Sequence, residues 1–288
     1  FDVYYSMKKH WGHMRQMMLT IFKWRGVKNV VAEELSVLPG MEEASAFLWL
    51  DKYYTENSYD VIIIDSAPTG ETLTLLSLPQ VTQSWLTKAF PGQRTAVRTL
   101  GSFVRNLTDI PLDKGYEELE TLFEKLDRIQ QVFLDPEVCT MRIVTNPERM
   151  VIQEAKRAYA YLQLYGYQVD GVVVNRILPE EAGQSVFADY VASQQQYLQE
   201  IEETFDPLPI FKVGHFGSEV FGLDRLNQIG DTLYGGGDPT EIYHQESPFQ
   251  VEELKNAYEL KLRLPFMENA NYEVRKMGDE LVIDLNNR

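Results

Sequence analysis

The apolar positions of this chain follow two periods, and the change from one to the other divides it. Up to residue 234 they recur at helical spacing or gather in short unbroken runs. Beyond that point they alternate. The helical stripes come first. Met7, Trp11, Met14, Met18 and Phe22 repeat every three or four residues, with Lys8, Lys9, Arg15 and Lys23 between them, and predict a helix over 5–25. That stripe is open to two readings, a core face with methionine as gap filler or a Met-rich surface for apolar clients. A second helix is expected over 42–57, and a third from Thr72 until Pro79 stops it. Trp85, Leu86, Ala89 and Phe90 form one apolar face. Val97, Leu100, Phe103, Val104 and Leu107 form another, after a break at Pro91-Gly92. Leu119 through Phe133 trace a long amphipathic helix that ends at Asp135-Pro136.

The unbroken runs predict buried strands. Val61-Ile62-Ile63-Ile64 is four β-branched residues without polar alternation, the pattern of a strand covered on both faces. Thr140–Thr145 and Val169–Val174 read the same way, and Leu208–Val213 as a more peripheral strand. Between the second and third of these runs, Asn146-Pro147-Glu148 reads as N-cap, first-turn proline and first-turn acid of a helix that continues to Gly166. Strand, helix and strand with a short return make a βαβ unit, so these two strands should be parallel. Further helices are expected over Phe187–Ile201 and Leu223–Leu233.

Gly235-Gly236-Gly237-Asp238-Pro239 ends this pattern and reads as a linker, placed over 235–248. In the remainder, 249–288, Tyr258–Leu264, Tyr272–Lys276 and Leu281–Leu285 alternate as half-buried antiparallel strands do, with Gly278-Asp279-Glu280 as a turn.

Composition narrows the class. A formal net charge of −16 excludes the basic footprint that nonspecific nucleic-acid binding requires. The single cysteine, Cys139, rules out an internal disulfide or a cysteine-based zinc site within one chain and fits a reducing compartment. No apolar run approaches the roughly 20 residues of a transmembrane helix. The four histidines, His10, His13, His215 and His244, fall on no shared site, and no Ser/His/Asp or Cys/His set is visible.

The candidate chemistry lies where the Val61–Ile64 run ends on Asp65. An acidic residue at the carboxyl end of a buried strand sits where open α/β sheets bind ligands. Ser66-Ala67-Pro68-Thr69-Gly70 follows as a stiff polar loop leading into a helix. Strand, aspartate, small-residue loop and helix are the layout of a Walker-B strand with its switch loop. A plain N-cap is the other reading of Asp65. The whole string DSAPTGETLTLLSLP, with LPGM at 38–41 before it, resembles the switch-II region of the ArsA/GET-type ATPases, the arsenical-pump ATPase and its tail-anchored-protein-targeting relatives. The C-terminal tail resembles the opening strands of an α-crystallin (small heat-shock) domain, with Leu264-Pro265 at its corner; one branch of that family carries such an appendage.

The resemblance implies an α/β fold: a doubly wound, mostly parallel sheet of the P-loop NTPase (SIMIBI-like) type over 1–234, with a helical subdomain at about 72–135 and a small C-terminal antiparallel β segment. It implies ATP and Mg²⁺ as ligands, Asp65 as the Walker-B acid holding the metal indirectly, and Ser66, Pro68, Thr69 and Gly70 as nucleotide-facing switch residues. Asn175 matches the family's adenine-reading asparagine, with Arg176 beside it; a turn or cap role is the other reading of Asn175. The loop over 214–222 resembles the second adenine-side loop but has Gly-His-Phe where relatives carry prolines. Glu148 and Arg149 fall where the family faces its partner subunit. Trp85, Leu86, Phe90, Leu100, Phe103 and Val104 fall in the region that carries a client-helix groove in the targeting members, or else pack an ordinary bundle. The family's C-x-x-C zinc pair and its arsenite-site cysteines have no counterpart here.

The expected activity is that of a cytoplasmic (or organelle-stroma) homodimeric ATPase coupling nucleotide state to a hydrophobic, helical client. No G-x-x-x-x-G-K-[ST] phosphate loop occurs in 1–288, and the resemblance places it, with the switch-I aspartate, before Phe1. Two expectations follow: the complete protein carries that segment upstream, or it has lost it and is a pseudo-ATPase or chaperone-like binding module.

Overall fold

The computed structural model describes residues 41–66, 112–184, 186–246, 248–255, 257–262, 272–277 and 280–285. It divides into two compact units, Phe1–Asp135 and Pro136–Arg288, taken here in turn. The expected helices over 5–25 and from Thr72, and the apolar faces from Trp85 to Leu107, lie outside the described residues.

In the first unit, helix α1 (Met41–Thr55) lies against helix α2 (Leu112–Leu134). Leu48 on α1 is buried, as are Leu126, Ile129 and Phe133 on α2. The Phe47 and Phe133 rings meet edge to face at 5.6 Å. The contact also takes in a charge: Arg128 Nε donates to the buried Asp51 carboxylate at 2.6 Å. The part of the α2 stripe from Leu126 to Phe133 is therefore a packing face.

Val61–Ile64 departs from expectation. The segment belongs to no described helix or sheet, and its side chains are exposed, Ile63 by 88%. The physical reason is pairing. A run of β-branched residues points side chains to both faces, and strand geometry holds only when neighbouring strands bond its backbone and layers cover it. Among the described residues no strand runs beside it.

The second unit is built on a parallel sheet of β1 (Met141–Thr145), β2 (Val169–Ile177) and β3 (Ile210–Gly214), in that order. β2 is central, and Val169, Val172 and Val174 are fully buried, each contributing about 1.5–3 kcal/mol of hydrophobic transfer. The parallel β1–β2 pairing agrees with the βαβ reading. Helix α3 (Arg149–Leu164) makes the crossover and packs Ile152, Ala155, Ala158, Tyr159 and Leu162 inward. It starts later than the sequence suggests. Glu148, at φ −134° and ψ 134°, is the N-cap, and its carbonyl accepts the first helical bond from the Ile152 N–H at 2.9 Å. The Asn146 carbonyl is instead used in a turn, accepting from the Glu148 N–H at 2.8 Å, and Pro147 is buried before the helix begins.

A short 3₁₀ turn (Glu180–Gln184) and helix α4 (Ala188–Phe205) connect β2 to β3, and helix α5 (Leu223–Tyr234) follows β3 and lies against it. Gly235 closes α5 in the left-handed conformation at φ 56°, where its N–H donates to the Asp231 carbonyl at 2.9 Å. The segment after it is no free tether. Arg142, on β1, donates to the carbonyls of Pro239 at 2.7 Å and Glu241 at 2.8 Å, and Gln168 donates to that of His244 at 2.8 Å. The Tyr234 and Tyr243 rings stack at 6.3 Å, and Phe211 from β3 meets Tyr243 edge-on at 4.9 Å.

Beyond this strap stand two antiparallel hairpins, β4 (Phe249–Leu254) with β5 (Ala257–Leu262), and β6 (Tyr272–Met277) with β7 (Glu280–Leu285). The sequence reading missed β4, whose Gln-Val-Glu-Glu run after Phe249 has only one interior apolar residue. The register explains its place: Phe249 pairs with Leu262 and Val251 with Leu260, which puts apolar residues of both strands on one face.

Candidate functional site

The carboxyl ends of β1, β2 and β3 lie side by side along one edge of the parallel sheet, the edge at which open α/β sheets take ligands. At this edge β2 is bulged. Val174 pairs with Lys212 and Ile177 with Gly214, so Asn175 and Arg176 together oppose the single residue Val213. The extra residue forces Arg176 into the left-handed region at φ 57°, which a side chain other than glycine seldom adopts. Bulges of this kind re-aim side chains and gather next to active sites.

The local bonding fixes how Asn175 is presented. Its Oδ1 accepts the Arg176 N–H at 2.8 Å, which identifies the oxygen of the amide. That leaves one lone pair on the oxygen and both N–H bonds of the Nδ2 group to meet a ligand, an acceptor and donors in one plane. Asn175 is half-buried and Arg176 exposed. Asn175 lies within β2, so the turn or cap role weighed for it is not the one it has here.

The ends of the bulge are tied down. The His215 N–H donates to the Ile177 carbonyl at 2.7 Å, and the His215 ring accepts the Gly217 N–H at Nδ1, 3.0 Å away. His215 is thus a loop-shaping residue. One residue past the end of β2, the backbone of Leu178 is held by the side chain of Gln194 from α4. Sequence places Gln194 only within the helix expected over Phe187–Ile201. Its position in line with Tyr190, Val191, Tyr197 and Ile201 was the signal, since a buried amide must find partners. A second tie crosses between helices: the Tyr190 hydroxyl on α4 donates to the Glu148 carboxylate at the start of α3, and partial desolvation together with that bond pushes the phenol up to about 12.

The amino end of β2 carries the opposite construction. Met141 pairs with Val169 but Arg142 with Gly171, so Asp170 is the bulged residue there. Arg142 grips it, Nε to Oδ1 and Nη2 to Oδ2, and lies 4.9 Å from the Tyr243 ring centroid. This cluster closes the amino edge and holds the 238–244 strap.

Of the expected switch residues, Asp65 and Ser66 are exposed, in the first unit. Pro68, Thr69 and Gly70 lie outside the described residues, as do Trp85, Leu86, Phe90, Leu100, Phe103 and Val104. Asn175 and Arg176 stand together in the second unit. Among the described residues no three His, Cys, Asp or Glu side chains gather into a metal-binding group. Mg²⁺ needs none when it keeps its waters and is held by one carboxylate and the phosphates of a nucleotide, so the lone Asp65 suits it. Nor, among the described residues, is any helix long and apolar enough to cross a membrane.

Comparison with known proteins gives this arrangement a family. The profile of the anion-transporting ATPases (ArsA) matches residues 1–235, and that of the HSP20-like domain found in ArsA matches residues 255–288. The chain is 35% identical over 292 residues to the putative arsenical pump-driving ATPase 1 of Aquifex aeolicus, a match covering 99% of this chain and 74% of that protein. It is likewise 35% identical to the putative arsenical pump-driving ATPase of Chlorobaculum tepidum, over 99% of this chain and 72% of that one. With ATPase GET3 of Chaetomium globosum it shares 29% identity, over 72% of this chain and 63% of that protein. The parallel sheet with its crossover helices, the bulged asparagine at its carboxyl edge and the β hairpins after the strap thus belong to a member of the ArsA family of anion-transporting ATPases that carries a C-terminal HSP20-like domain.

Proposed function

We propose that this protein binds and hydrolyses ATP as a Mg²⁺-dependent homodimeric ATPase and couples its nucleotide state to binding of a hydrophobic, helical client. The observation that carries the reading is the bulge at Asn175-Arg176. It sets an amide with a donor and an acceptor at the carboxyl edge of a parallel sheet, in a chain whose ATPase-family match runs over residues 1–235.

In this reading Asn175 meets the adenine edge, its oxygen accepting the exocyclic N–H and its NH₂ donating to a ring nitrogen. Arg176, exposed beside it, supplies positive charge near the ribose and phosphates. Asp65 orients the water shell of Mg²⁺, and Ser66, Pro68, Thr69 and Gly70 change conformation when the terminal phosphate leaves. When bound, Mg²⁺ offsets the negative charge of the transferred phosphoryl group. Trp85, Leu86, Phe90, Leu100, Phe103 and Val104 line the client groove. The protein works in the cytoplasm or an organelle stroma.

The test is direct. Calorimetry on the full-length protein should show ATP binding, and phosphate release should require Mg²⁺. Absence of any binding heat at millimolar ATP would refute the reading.

A second reading has one observation in its favour. Each C-terminal hairpin puts apolar residues on one face, and Val251, Tyr258 and Leu260 of the first are exposed. A chaperone-like module without turnover would use such faces. It predicts that aggregation of an unfolded client is suppressed equally with and without ATP.

A further inference from the structure

Gln194 is 1% exposed, in a helix whose other buried residues are the apolar Ile201 and Phe205. A primary amide in that place costs free energy unless both of its ends are bonded. Both are, and to the same residue: the Leu178 N–H donates to Gln194 Oε1 at 2.8 Å, and Gln194 Nε2 donates to the Leu178 carbonyl at 3.0 Å. The side chain takes the place of a neighbouring strand at the point where β2 has just ended, at Ile177.

The consequence reaches back two residues. Val174 is fixed by its pairing with Lys212, Ile177 by its pairing with Gly214, and Leu178 by Gln194. Asn175 and Arg176 lie within that span. A left-handed Arg176 persists only where its surroundings over-determine it. Loosening Leu178 lets the two bulged residues relax toward ordinary extended backbone, and in a strand each residue's rotation moves the neighbouring side chain toward the opposite face.

From this we infer that Gln194 is a positioning residue for nucleotide selection: it touches no ligand, and through Leu178 it locks the bulge that aims Asn175 at the base. The inference rests on the assignment of Asn175 as the base-reading residue. It makes Gln194 a determinant of the preference for ATP over GTP, because Asn175 is the bulge residue that meets the base, whereas contacts of Arg176 with ribose and phosphates are common to both nucleotides.

The test uses the full-length protein and four variants, Gln194→Met, Gln194→Glu, Asn175→Ala and the Gln194→Met/Asn175→Ala pair. Binding of ATP and of GTP is measured by calorimetry, and exchange of the Leu178 amide proton by NMR or mass spectrometry. Gln194→Met keeps the length of the side chain and removes both bonds. It should speed Leu178 exchange, weaken ATP binding about tenfold more than GTP binding, and change KM far more than kcat. The double variant should lose no more selectivity than Asn175→Ala alone, as residues acting through one another do. Gln194→Glu keeps the acceptor but sets a carboxylate against the Leu178 carbonyl. A protonated glutamic acid has the donor and acceptor of glutamine, so ATP selectivity should return as the pH is lowered into the range where that carboxyl protonates. A recovery of this kind cannot come from a misfolded chain.

Undiminished ATP preference in Gln194→Met, with Leu178 exchange clearly faster, would overturn the inference and leave Gln194 a purely structural clip. Undiminished preference in Asn175→Ala would instead remove the assignment on which it stands.

Discussion

Arg142 and Asp170 face each other across β1 and β2 with two parallel hydrogen bonds, both 3.2 Å long, and the carboxylate is fully buried. The guanidinium spends its remaining donors on the Tyr234 hydroxyl and on the carbonyls of Pro239 and Glu241. One side chain thus compensates a buried charge and fastens the strap that leaves α5. Removing it by Arg142→Met leaves Asp170 buried without its partner, a change that costs about 3 kcal/mol or more in such settings. Urea denaturation should show that loss as a lower midpoint, and limited proteolysis should cut the 238–244 strap sooner. Arg142→Lys should recover only part of the stability, since an ammonium cannot make the two-pronged contact.

Gly171 answers a different demand of the same region. A Cβ there would lie 2.9 Å from Cε2 of Phe211, and that ring packs against both Tyr234 and Tyr243 at centroid distances of 5.7 and 4.9 Å. A ring backed by two others has little room to give. Gly171→Ala should therefore destabilise the protein by roughly 1–3 kcal/mol, the usual cost of overpacking. Phe211→Leu in the same chain should return part of that loss, and thermal melts of the single and double variants measure both. Loss that is simply additive would place the strain elsewhere.

Cys139 yields a prediction in pH. Burial, with the negative charge of Asp170 adding to it, pushes the thiol from 9.0 up to about 11. The folded protein then keeps a proton that the unfolded chain releases, so between pH 9 and 11 this group makes stability fall as pH rises. Below pH 9 it contributes no slope. At pH 8 the thiolate fraction is about a hundredfold lower than in an ordinary cysteine, and the thiolate is the reactive form. Alkylation by iodoacetamide should be slower by about that factor in the folded protein than after urea unfolding. Equal rates would show that Cys139 is neither buried nor shifted.

The parts of this molecule that were legible in its sequence are those set by local rules. Val169–Val174 reads as a buried strand because it is one, and the βαβ return made the parallel pairing of β1 and β2 predictable. Asn175 was singled out by its resemblance to the family's adenine-reading asparagine at the close of that run, and the strand continues past it to Ile177. The bulge that aims it was not, since bulges arise from a mismatch with a partner strand that a single segment does not display. Gln194 lies 16 residues from Leu178, and Arg142 lies 97 from Pro239, so neither bond follows from periodicity. Val61–Ile64 shows the reverse error. Its composition announces a central strand, but composition supplies only the propensity, and the ladder has to come from another segment. The strap failed for a related reason: glycine and proline mark where regular structure stops, without telling whether the next residues dock.

Asp65 provides the sharpest test of the proposed chemistry. Its carboxylate is exposed and belongs to no described helix or sheet, so replacing it should not unfold the protein. Asp65→Asn keeps size and polarity and removes the charge proposed to hold the hydrated Mg²⁺. If the residue orients that shell, kcat should fall by roughly a hundredfold, a scale usual for losing one electrostatic contact at a transition state. ATP binding in the absence of Mg²⁺ should change less than about twofold, because the base and the bulge at Asn175 are untouched. The Mg²⁺ concentration for half-maximal turnover should rise, and the melting temperature should stay within a few degrees of the parent. Turnover that survives Asp65→Asn with an unaltered Mg²⁺ requirement would reduce the residue to the plain helix cap that its place in the chain also allows.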